Sequence, residues 1–161
     1  MTRPGEQKLA HLFKPGKLGR FPTRNSIKYG ACCVSNYNTR DGFISPRELA
    51  RMRVIAGTGC GLITNQGAYP DPLGEGKAYF RQIALFDDKF MPQFETIAGY
   101  IHDAGAIGIQ QILHAGRYGG IDLGYCIQPS VVPQTLPHFR PPREITKDQI
   151  RETIEQHAEA A

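Results

Sequence analysis

The stretch IGIQQILHAGRY, residues Ile107–Tyr118, decides the fold. In an extended chain Ile107, Ile109, Gln111 and Leu113 share one face,. Gly108, Gln110, Ile112 and His114 share the other. Apolar residues on both faces predict a strand covered on both sides, as in a parallel sheet flanked by helices. Polar groups gather where that strand ends: Gln111, His114, Arg117 and Tyr118, with Gly116 among them. In a β/α barrel the chemistry sits at the C-terminal ends of the strands. A glutamine there offers one acceptor and two donors in a plane, which suits the edge of a flat heterocycle.

Two more strand-and-helix units lie upstream. Ile27–Ser35, IKYGACCVS, predicts a first strand with Ile27, Tyr29, Ala31 and Cys33 on one face,. A turn-rich loop follows, and then Ser45-Pro46-Arg47-Glu48 starts a helix. Ser45 is placed to cap, Pro46 fits the first turn, and Glu48 completes a capping box. Leu49, Met52, Ile55 and Ala56 supply its apolar stripe, and Gly57 and Gly59 stop it,. The glycine-rich string at 57–61 follows a helix and precedes a strand, the wrong order for a nucleotide loop, so it predicts an αβ turn. Gly61–Ala68 predicts the second strand, with Asn65, Gln66 and Gly67 at its C-terminal end.

Residues 69–86 form a long irregular stretch, and loops of that length at a barrel mouth are more often functional than idle. Asp87 or Asp88 then caps a second helix, buried through Phe90, Phe94, Ile97 and Ile101, with His102 off the stripe and solvated,. After the third strand, Ile121–Arg143 predicts a proline-rich loop without regular structure. Thr146 and Gln149 form another capping box, and Ile150, Ile154 and Ala158 make the stripe of a third helix,. His11–Arg20 predicts a short hairpin at the front, and residues 1–10 a flexible tail. The order β-α-β-α-β-α predicts a parallel sheet with right-handed crossovers.

Composition narrows the class. The 161 residues can bury a real core, but a complete β/α barrel takes about 250,. Net charge is +4, and no basic run is interleaved with aromatics, which argues against nucleic acid,. No apolar run approaches the roughly 20 residues of a membrane span, and the polar start lacks a signal-peptide core, so the default expectation is a cytoplasmic protein. Cys32, Cys33, Cys60 and Cys126 show neither C-x-x-C spacing nor a zinc pattern,. They are expected to be thiols, with no metal bound.

Gln111-Ile112-Leu113-His114-Ala115-Gly116-Arg117 resembles the Q-[IL]-x-H-x-G-R segment of the old yellow enzyme family, nearest its 2,4-dienoyl-CoA reductase and NADH:flavin oxidoreductase branch. The lead-in around Leu12-Phe13, Pro129-Ser130 and Pro142-Arg143-Glu144-Ile145-Thr146 resemble family segments as well. The family carries an Asn-Arg pair before its first strand. Here the pair is Asn25-Ser26, with Arg24 available in its place.

The resemblance implies an α/β fold, the N-terminal part of a (β/α)8 TIM barrel holding about three β/α units over residues 11–161, truncated at its C-terminus. It implies FMN as cofactor and NAD(P)H as reductant. Gln111 would contact the pyrimidine edge of the flavin. Ala31, Cys32, Cys33, Gln66 and Gly67 would line the ring, Cys33 through a thiol hydrogen bond that tunes it. His114 and Arg117 would brace the strand end. The substrate would be an activated alkene, an enone or enoyl compound. The proton donor, the substrate-carbonyl ligands and the phosphate grip belong to family segments beyond residue 161, as do the cysteines of any iron–sulfur cluster. The expectation is therefore a fragment, inactive alone, or one part of a homo-oligomer or of an assembly completed by another chain. Two competitors stand beside it: a non-catalytic partial barrel that binds a partner chain, and a different barrel enzyme with a phosphate-bearing substrate. The second competitor is disfavoured because no acid–base pair or metal cluster appears.

Overall fold

The computed structural model describes residues 8–133 and 140–161. The tail expected at 1–10 lies mostly outside that range, and Ala10 already belongs to a short helix, α1 (Ala10–Phe13). The hairpin at the front forms from β1 (Gly16–Leu18) and β2 (Phe21–Thr23), turning at Gly19 with φ +57°. Its exit is latched to the bottom of the sheet. Arg24 donates to the carbonyls of Cys60 and Ala104, so one guanidinium joins two αβ turns. Asn25 bridges Gly59, Gly61 and Ile27, and a Cβ on Gly61 would lie 2.5 Å from the Asn25 carbonyl oxygen.

The central sheet is parallel, in the order β3 (Lys28–Tyr29), β4 (Leu62–Ala68), β5 (Ile107–Ile112). Helix α2 (Pro46–Ala56) connects the first pair, and α3 (Met91–Asp103) connects the second. The two helices pack side by side. Met52, Ile55, Ile97 and Ile101 meet Ile63 and Ala106 in one core. Each fully buried side chain of this size contributes about 1.5–3 kcal/mol. Phe90, Phe43 and Phe86 form a second cluster under the 69–86 loop, with ring centroids 4.7 and 5.1 Å apart.

Four expectations need correction. The first strand is only two residues long, not Ile27–Ser35. Beyond Tyr29 the main chain leaves the ladder, and the Gln66 side chain accepts the Val34 N–H (3.4 Å) where a strand partner would stand. β5 is half-buried along its whole length rather than covered on both faces, because β4 is its sole ladder partner among the described residues. The 121–143 stretch contains a strand, β6 (Cys126–Gln128), which pairs in parallel with β7 (Pro142–Glu144); both are three residues long, too short to show a period. Helix α4 (Lys147–Glu159) has the full capping box at Thr146 and Gln149, but its stripe is not buried: Ile154 is 63% exposed.

The α2 start differs in one further way. Ser45 accepts the Glu48 N–H (3.3 Å), yet the Glu48 carboxylate does not return to Ser45. The Asn38 amide oxygen takes the Ser45 N–H instead, and the carboxylate turns inward.

Candidate functional site

β4 carries a bulge. Asn65 pairs with Gln110, but the next pair is Ala68 with Ile112, so Gln66 and Gly67 together oppose Gln111. Bulges often re-aim side chains beside active sites. This one is held by amides. Gln110 accepts from Asn65 Nδ2 (2.8 Å) and donates to the Gln66 and Gln111 carbonyls (2.9 and 2.8 Å). Asn65 takes the Gln66 N–H, and Gln82 donates to the Gly67 carbonyl. Gly67 has to be glycine: a Cβ there would lie 2.6 Å from Leu113 Cβ and 3.1 Å from Gln111 Oε1. The Gln111 side chain therefore lies against the bulge. Its amide makes no hydrogen bond among the described residues, so three hydrogen-bonding functions remain available.

Gln66 is placed differently. It is buried, and its whole amide is used by the protein. Nε2 donates to Glu48 Oε1 (2.8 Å), while Oε1 accepts from the Tyr79 hydroxyl (3.0 Å). Glu48 is fully buried and paired with Arg51 through contacts of 2.6 and 2.8 Å. Arg51 also donates to the Tyr29 hydroxyl (3.1 Å). The Tyr29 and Tyr79 hydroxyls in turn lie beside the Cys32 and Cys33 thiols. A continuous hydrogen-bonded arc thus runs from one hydroxyl to the other: Tyr29, Arg51, Glu48, Gln66, Tyr79.

The direction of the bonds along this arc follows from chemistry. A carboxylate only accepts, so Gln66 must turn its NH2 to Glu48 and its oxygen to Tyr79. The single Tyr79 proton goes to that oxygen. Burial, then Cys33 and the Glu48 charge, push the Tyr79 phenol upward, so it stays protonated. The Glu48 carboxylate likewise holds the Arg51 guanidinium above its ordinary range.

The remaining predicted residues split. Ala31 lies on the unladdered run with Cys32 and Cys33, and a Cβ on neighbouring Gly30 would meet nothing within 4 Å. His114 packs its ring on Gly76, and its Nδ1 accepts the Gly116 N–H (3.1 Å), which places the proton on Nε2. Burial lowers its pKa. Asp71 and Glu75 oppose that shift, and His157, with ring centroids 6.1 Å apart, adds to it. Arg117 is exposed on a 3-10 turn, with its guanidinium 5.4 Å from the centroid of the Tyr118 ring. No group of three metal-binding side chains occurs among the described residues.

Sequence reasoning missed Glu48, Tyr79 and Gln110. Glu48 was absorbed by the capping box, although its spacing to Met52 and Ile55 puts it on the buried stripe of α2. Tyr79 sits in an irregular run where no period exists to reveal it. Gln110 holds the bulge, and nothing in a sequence marks a bulge except the glycine beside it.

Residues 11–161 match the NADH:flavin oxidoreductase / NADH oxidase family. The chain belongs to that family. An NADH oxidase of Thermoanaerobacter brockii is 33% identical over 154 residues, 94% of this chain and 23% of that protein. An NADPH dehydrogenase of a Geobacillus species is 29% identical, covering 89% of this chain and 41% of the relative. Among solved structures, a 2-naphthoyl-CoA reductase in complex with 2-naphthoyl-CoA superposes with a TM-score of 0.85 at 30% identity, over 93% of this chain and 24% of that one. The old yellow enzyme of Pichia sp. AKU4542 gives 0.80 at 20% identity, over 94% and 42%. The three parallel strands and their helices are thus part of the old yellow enzyme β/α barrel. The chain spans well under half the length of these relatives. No helix among the described residues is long and apolar enough to cross a membrane.

Proposed function

We propose that this chain supplies the flavin-holding strands of an FMN-dependent NAD(P)H oxidoreductase that reduces activated C=C bonds. The observation that carries the proposal is the unpartnered Gln111 amide, set against a bulge at the C-terminal end of β4. The residues fit a flat ring. An amide with both donor and acceptor functions free stands at one edge. The main chain of Gly30–Val34 lies outside the ladder, with open space over Gly30.

FMN, when bound, supplies hydride transfer between NAD(P)H and the alkene. The protein residues do the rest. Gln111 orients the pyrimidine edge with its amide. Gly67 leaves room for that amide and keeps the strand close. Ala31 and Cys32 offer main-chain groups. Cys33 presents its exposed thiol. Gln66 acts at a distance: it fixes the Tyr79 hydroxyl beside Cys33. His114 and Arg117 brace the strand end, His114 as a neutral ring.

The reading is tested with the family segments expected beyond residue 161 present: that longer protein, loaded with FMN, is titrated anaerobically with NADH or NADPH and then with a cyclic enone. Loss of the yellow absorbance and its return on adding the enone support it. FMN that binds but is neither reduced nor reoxidised overturns it.

A further inference from the structure

A cavity opens between the run that follows Cys33 and the 69–86 loop. It encloses about 500 Å³ and is lined by Asn36, Arg40, Lys77, Phe80, Arg81 and Asp122. Asn36 donates its backbone N–H to the Phe80 carbonyl (3.1 Å), which fastens the two runs together just past the thiol.

The charges in this cavity are unequal. Lys77 is almost fully buried and already satisfied: its ammonium donates to Asp122 (2.7 Å) and to the Arg40 carbonyl (3.3 Å), and so ties the walls to each other. Arg40 and Arg81 form no ion pair among the described residues. The lining thus carries three cationic residues against one carboxylate, and that carboxylate is already paired with Lys77. A guanidinium is a fork of donors matched to carboxylate and phosphate oxygens.

The backbone adds a second observation. Asn36 (φ 63°) and Arg81 (φ 58°) are the non-glycine residues with positive φ among those described, and both line this cavity. Such conformations gather at ligand clamps. Here the surroundings enforce them: Gln82 accepts the Ala78 N–H and donates its own N–H to the Tyr79 carbonyl, closing the turn that carries Arg81. Phe80, 54% exposed, adds an apolar wall.

We propose that this cavity seats an oxyanion, carboxylate or phosphate, carried at one end of the substrate, with Arg40 and Arg81 as its ligands. The cavity exceeds the size of a bare ion, and the exposed Phe80 ring faces the organic body that bears it. The substrate class becomes an activated alkene with an anionic end group. The assignment of an alkene rests on the function proposed above. The anion seat itself does not.

The test uses the chain labelled with 15N, titrated with inorganic phosphate and, separately, with crotonate, without flavin. The expected result is saturable shifts at the Asn36 and Arg81 amides, weakened about tenfold or more in an Arg40→Gln/Arg81→Gln variant, a loss of at least about 1.4 kcal/mol. Both side chains are exposed, so the variant should keep the dispersed spectrum of the folded chain. Stronger saturation by phosphate assigns a phosphorylated end group, and stronger saturation by crotonate a carboxylate. Shifts elsewhere in the chain, absence of saturation, or an unchanged variant overturn the proposal. Because flavin is absent, anion binding here survives even if the FMN reading fails, and the two failures remain distinguishable.

Discussion

Replacing Glu48 with glutamine perturbs the arc at its buried centre. The native carboxylate accepts three hydrogen bonds, two from Arg51 and one from Gln66. A glutamine offers one oxygen and one NH2, so at least one of these contacts becomes donor against donor. Arg51 also loses its counter-charge. Breaking a fully buried pair in this way costs about 3–5 kcal/mol. Arg51 keeps 20% of its side chain exposed, so water recovers part of that, and the expected loss is about 3 kcal/mol,. For a chain of this size each kcal/mol lowers Tm by about 2–4 °C, which gives a fall of roughly 6–12 °C in a circular-dichroism melt. A Tm loss below about 2 °C would refute the buried pair.

The remaining predictions concern the bulge, the strand end and the exposed stripe. Gly67→Ala drives a Cβ to within 2.6 Å of Leu113, and should cost about 1–3 kcal/mol in urea unfolding and weaken FMN binding along with stability,. His114 is held neutral, with its folded pKa below the ordinary 6.5. The unfolded chain therefore takes up that proton first, and the associated stability is present above pH 6.5 and is lost as pH falls through the folded value,. The decline in Tm from pH 7.5 to 5 should be shallower in His114→Asn, which keeps an acceptor for Gly116; an equal slope in both proteins removes His114 as its source. Ile154→Glu should change stability by less than about 0.5 kcal/mol because the side chain is already exposed, and a larger loss in the melt means that α4 packs on something in solution,.

The parallel core was legible because its signals are periodic. Met52 and Ile55 in α2, and Ile97 and Ile101 in α3, recur at helical spacing, and each helix meets the sheet as that spacing demands,. The caps at Ser45 and Thr146 were legible for the same reason: they are local. The site was legible only in part. Gln111 stood out as a polar group on an apolar strand. The bulge that positions it was not visible, because it depends on pairing between β4 and β5. Cys33 was singled out through resemblance, but Tyr79 is 46 residues away, and only the folded chain brings the two side by side. The first strand was overextended because alternation in IKYGACCVS marks which residues could share a face, and says nothing about whether a neighbour is present to bond them. The β6–β7 pair escaped because three-residue strands leave no period to detect.

The most direct measurement is an amide-resolved NMR titration of the chain with FMN. The account predicts saturable shifts confined to the Gln111 side-chain NH2 and the Ala31, Cys32, Cys33 and Gly67 amides, with those at Ala31–Cys33 weakened in Gln111→Ala. Saturable FMN binding that leaves these positions unmoved, or no binding up to millimolar FMN, would contradict the claim that these strands hold the flavin.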